Sequence, residues 1–131
     1  MTVLTGSGDD MAMKTESSIF ETEKTVQVLG RTLQDALARA KAGSIAPVQS
    51  TSGALSQFDE KAAIEVVAQG RGLVGGSWAV QVFVWDAGQK RTVELVALGD
   101  SGMARVMDGY RNSISMQASL KKRDEIAASL R

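Results

Sequence analysis

Trp78-Ala79-Val80-Gln81-Val82-Phe83-Val84-Trp85 is followed by Asp86-Ala87-Gly88-Gln89 and then by Arg91-Thr92-Val93-Glu94-Leu95-Val96-Ala97-Leu98. The outer stretches are rich in β-branched and aromatic residues and the middle one is turn chemistry, so the three together predict a β-hairpin. Successive side chains of a strand point to opposite faces. Trp78, Val80, Val82 and Val84 therefore share one face with Val93, Leu95 and Ala97. Ala79, Gln81, Phe83 and Trp85 share the other with Thr92, Glu94, Val96 and Leu98. A sheet covered on one side only should be polar on its open side. Here the second face is also apolar apart from Gln81, Glu94 and Thr92, so it too needs cover, from the chain itself, a second subunit or a ligand.

Upstream, Ala63–Gln69 reads as another strand, and residues 44–56 as a loop or an edge strand around Pro47, which cannot donate to a sheet ladder. Thr25-Val26-Gln27-Val28 alternates as a half-buried strand does, Gly30-Arg31 breaks it, and Thr32 caps a helix carrying Leu33, Ala36, Leu37 and Ala40 with Gly43 as its stop. One long helix over residues 21–42 is the rival, since Val26, Leu29, Leu33, Leu37 and Ala40 also fit a period of 3.6. Gly30, costing roughly 1 kcal/mol in a helix interior, favours strand then helix. Downstream, Met103, Val106, Met107, Tyr110 and Ile114 are spaced for one helical stripe, and a last helix runs through Met116, Leu120, Ala127 and Leu130.

The expected architecture is α+β: an antiparallel sheet of four to five strands packed against an N-proximal helix and a C-terminal helix, in the order β-α-β-β-β-β-α. Residues 1–18, small and polar, read as a mobile N-terminal arm or leader, and residues 19–131 as one globular α+β domain. Helix-on-curved-sheet ligand binders and saddle-shaped nucleic-acid binders both use this order, and fold alone does not assign function.

Composition excludes much chemistry. The 131 residues include no His and no Cys, with 15 Lys+Arg against 15 Asp+Glu. There is no Ser-His-Asp triad, thiol nucleophile, disulfide or Cys/His metal site, and no cofactor is implied. Zero net charge argues against nucleic acid as a partner. The apolar runs are too short to span a bilayer and the N-terminus shows no secretory signal, so a cytoplasmic location is expected.

Gly70-x-Gly72-x-x-Gly75 has the spacing of a dinucleotide fingerprint, but that mechanism needs a helix to follow, and Trp78–Trp85 is β. The loop reads instead as a flexible connection whose glycines supply positive φ, or as an anion loop in which Gly70, Arg71, Gly72 and Gly75 contact the ligand. The carboxylates available for acid–base work are Asp59, Glu60, Asp86, Glu94, Asp100 and Asp108. Glu94 interrupts an apolar strand, an environment that raises a carboxyl pKa, unless it meets solvent or pairs with a residue such as Gln81. The candidate ligand or interface residues are Trp78, Gln81, Phe83, Trp85, Glu94, Val96 and Tyr110. The expected function is a non-enzymatic interaction domain that forms a homodimer through the two-faced hairpin. The alternatives are a carrier holding a small apolar ligand between the sheet and the C-terminal helix, or a carboxylate-based enzyme.

Overall fold

A computed structural model of the chain describes residues 16–47, 62–71, 76–99 and 114–131. Five strands form an antiparallel sheet: β1 (Ser17–Thr22), β2 (Ser44–Pro47), β3 (Ile64–Arg71), β4 (Ser77–Asp86) and β5 (Arg91–Leu98), in the spatial order β1-β5-β4-β3-β2. Helix α1 (Val26–Arg39) follows β1, and helix α2 (Met116–Leu130) follows β5. The α+β fold, the antiparallel sheet and the element order β-α-β-β-β-β-α are those expected from the sequence. No described helix is long and apolar enough to cross a membrane.

The hairpin sits at the centre of the sheet with the expected face assignment. In the β4–β5 register Val82 lies opposite Leu95, Val84 opposite Val93, and Phe83 opposite Glu94. Gly88 turns the chain at φ +94°, a left-handed value that glycine adopts without a Cβ penalty. One face carries Trp78, Val80, Val82, Val84, Val93 and Leu95, and packs on Leu29, Leu33 and Leu37 of α1 and Ile126, Ala127 and Leu130 of α2. Full burial of each Val or Leu there contributes about 1.5–3 kcal/mol.

The α1 region differs from the sequence reading. Thr25–Val28 is not a strand, because Thr25 is the helix N-cap, its hydroxyl accepting the Val28 N–H at 3.2 Å. Val26, Leu29, Leu33 and Leu37 form one continuous stripe toward the sheet, and Thr32 and Gly30 lie inside the helix. Burial of that stripe outweighs the cost of one interior glycine. The strand lies earlier, at Ser17–Thr22, so Ser17 and Ser18 belong to the sheet rather than to an arm.

The helix also ends four residues before Gly43. The Ala42 N–H donates to the Leu37 carbonyl (3.0 Å) and the Lys41 N–H to that of Ala38 (3.1 Å). Lys41 stands at φ +63° between them. This is a Schellman closure with a lysine in the left-handed position that glycine usually fills.

Arg91 fastens the β1–α1 corner to the hairpin turn. Its guanidinium donates to the carbonyls of Glu23 (2.6 Å), Lys24 (2.7 Å) and Gly88 (2.8 Å), and meets Asp86 Oδ1 at 3.3 Å. Lys24 Nζ in turn donates to the Arg131 carbonyl at 2.6 Å, placing a cation at the negative end of α2.

Candidate functional site

The second face of the sheet has neither helix stripe packed on it. Register across the strands puts Ile19, Glu94, Phe83 and Glu65 in one row, with Glu21, Thr92 and Trp85 in the next. Phe83 and Trp85 are two residues apart on β4 and therefore project from the same side. Their rings stack at 5.6 Å with an interplanar angle of 17°. Phe83 and Val96 are buried with Val67, Ala79 and Leu98, and Trp85 packs against them half-buried.

Two polar side chains, Gln81 and Glu94, lie fully buried in this apolar setting. Gln81 registers with Val96, not with Glu94, so the two are diagonal neighbours on adjacent strands. Glu94 Oε2 accepts the Ser17 hydroxyl at 3.1 Å. Glu65, on the other side of Phe83 in the same row, accepts the Ala62 N–H at 2.9 Å. The phenyl ring thus stands between two carboxylates that each hold a local donor. They do not converge on a shared point, as acid–base chemistry on one substrate requires. Among the described residues no group of three or more Asp, Glu, His or Cys could hold a metal ion.

The face opens toward the β1 side. Ile19 is 41% exposed, Trp85 and Thr92 are half-buried, and Glu21 is exposed, with its carboxylate 3.9 Å from Lys90 Nζ. An ion pair that open to solvent adds little stability. Just before β1, burial pushes the Glu16 carboxyl above its ordinary pKa.

The two sheet edges differ. β2 is four residues long and ends in Pro47, both features that blunt an edge. β1 is six residues long, Ser-Ser-Ile-Phe-Glu-Thr, with neither Lys nor Pro. Among the described residues no strand pairs with its outer side.

Of the residues singled out from sequence, Gln81, Phe83, Trp85, Glu94 and Val96 share this face. Trp78 belongs to the opposite one, where the Lys122 ammonium lies 5.9 Å over its ring. Gly72, Gly75, the stripe members Met103, Val106, Met107 and Tyr110, and the carboxylates Asp59, Glu60, Asp100 and Asp108 lie outside the described residues, while Ile114, the last member of that stripe, forms a parallel β-bridge with Ser77 and is not helical. Gly70 and Arg71 close β3. Gly70 has no positive φ. Its role is close approach, since a Cβ there would fall 2.8 Å from Trp78 Nε1 and 2.9 Å from the Lys41 carbonyl oxygen. Ile19 was missed by the sequence reading. Its signal was the edge position of β1, which appears only once the strand order is known.

The chain matches no family model, no curated protein and no solved structure.

Proposed function

We propose that this domain is a non-enzymatic interaction module that self-associates, with β1 of one copy meeting β1 of a second to extend the sheet. The contrast between the two edges carries this reading. Natural sheets protect exposed edges with short strands, proline or lysine. β2 follows that rule, whereas β1 has neither proline nor lysine and Glu21 is its one charge. Beside the β1 edge, Ile19 and Trp85 supply apolar area on one face, with Glu21 and Lys90 as a polar rim. Phe83 stands behind them as support, because it is already buried within the chain. The two engaged, non-convergent carboxylates favour binding over catalysis. No observation favours a carrier of apolar ligands, since Val82, Leu95, Ile126 and Leu130 occupy the interval between sheet and α2.

Sedimentation velocity from low to high micromolar concentration tests this. A concentration-dependent dimer is expected, and Ile19→Lys, which adds to β1 the lysine that natural edges favour, should return it to monomer without loss of fold. A wild-type protein that remains monomeric at high micromolar concentration overturns the proposal.

A further inference from the structure

At the β2 side of the sheet, away from β1, the end of α1 and the ends of β3 and β4 border an open surface cleft of about 510 Å³. That volume lies in the range of small-molecule sites. Lys41, Ser44, Gln69, Arg71, Ser77 and Ile114 are among the residues that line it. Two of these are cations and, among the described lining residues, none is a carboxylate. Neither Lys41 nor Arg71 makes an ion pair among the described residues. Both line the same cleft, which gives it a local excess of positive charge in a chain whose formal net charge is zero.

Lys41 is there at a conformational cost. It occupies the left-handed C′ position of α1 at φ +63°, which disfavours any residue with a Cβ by about 1–2 kcal/mol. Glycine would close the helix with less strain. Lysine instead puts a cationic residue in the cleft lining, and backbone strain of this kind concentrates at functional positions. The Gly43 N–H is already spent on the Gln69 carbonyl at 2.8 Å, so side chains, not a backbone nest, must hold a ligand here.

We propose that this cleft binds a small phosphomonoester. Its phosphoryl group, a dianion with three acceptor oxygens, matches the Arg71 fork and the Lys41 point charge, with the Ser44 and Ser77 hydroxyls as further donors. The cleft is much larger than a phosphate ion, which leaves room for the organic body of the ester. This site is independent of the β1 edge.

The test is an amide chemical-shift titration of the full chain at about pH 8, where a phosphomonoester is dianionic. Phenyl phosphate, inorganic phosphate and chloride are compared at constant ionic strength. Saturable shifts are expected at Gly43, Ser44, Gln69, Arg71 and Ser77, with phenyl phosphate binding more tightly than inorganic phosphate. Arg71→Gln and Lys41→Gln should each weaken phenyl phosphate about tenfold or more, as loss of a charge-assisted hydrogen bond does. Arg31→Gln, on the exposed side of α1, should leave binding unchanged. Equal affinity for phenyl phosphate and inorganic phosphate would overturn the ester in favour of the free ion. Absence of saturation, the same response to chloride, or an equal loss in Arg31→Gln would overturn the site.

Discussion

The Ser119 hydroxyl donates to the Leu98 carbonyl at 2.6 Å while accepting the Ala79 N–H at 2.9 Å. Ala79 and Leu98 are registered partners on β4 and β5, so a side chain from α2 satisfies the backbone at the end of the central hairpin. Ser119 is fully buried, which removes water as a substitute partner. Ser119→Ala leaves a buried donor and a buried acceptor without this hydroxyl, and each such group costs about 1–3 kcal/mol. Urea unfolding should show a loss of at least about 2 kcal/mol at an unchanged m-value.

Arg91 serves three carbonyls at once, and its fork geometry is what makes that possible. A lysine keeps the charge but cannot reach the Glu23, Lys24 and Gly88 carbonyls together. Arg91→Lys is expected to cost about 2–4 kcal/mol, since hydrogen bonds from charged groups contribute about 1.5–3 kcal/mol each. Chemical denaturation measures the loss. An increase in amide exchange should be concentrated at the β1–α1 corner and the 86–91 turn.

Asp86 makes the hairpin turn sensitive to acid. Its carboxylate accepts the Gly88 N–H at 2.9 Å and faces the Arg91 guanidinium at 3.3 Å. The Gly88 hydrogen bond first, and Arg91 second, hold its pKa below the ordinary aspartate range. With the folded pKa depressed, the unfolded chain binds the proton more readily, so this stabilisation is present above about pH 4 and fades as pH falls through the folded value. Urea midpoints between about pH 2 and pH 6 should therefore fall less steeply with acid in Asp86→Asn than in the wild type.

Lys41 opposes stability to binding. Lys41→Gly relieves the left-handed strain and should stabilise the fold by up to about 1 kcal/mol in thermal or urea unfolding. The same substitution removes one of the two cations of the cleft, so phenyl phosphate binding should weaken as stability rises. A variant that gains stability and binds phenyl phosphate as well as the wild type would separate Lys41 from the ligand.

The hairpin, its turn and its two faces were legible because strand alternation is local: once residues 78–85 are extended, the pleat assigns each side chain to a face. The strength of the β1–α1 signal was misread for an equally local reason. Thr25–Val28 satisfies a period of two over four residues, and Val26, Leu29, Leu33 and Leu37 satisfy 3.6 over twelve. Neither pattern carries the information that a continuous apolar sheet face waits opposite the longer one. Gly70 had the right importance for the wrong cause, because the indole of Trp78 that crowds it comes from the neighbouring strand.

The amino-acid sequence by itself determined what this protein is built from: no imidazole or thiol chemistry, a central two-faced hairpin, and the α+β class. Tertiary structure alone decided which groups meet. Lys41 and Arg71 are 30 positions apart in the chain, and Arg91 lies 68 from the Glu23 carbonyl that it holds. The burial that turned Val26–Leu29 into helix belongs to a sheet completed much later in the chain. Local periodicity reports which face a side chain takes, but the partner on that face is set by strand order and packing, and those free energies arise only when distant segments are brought together.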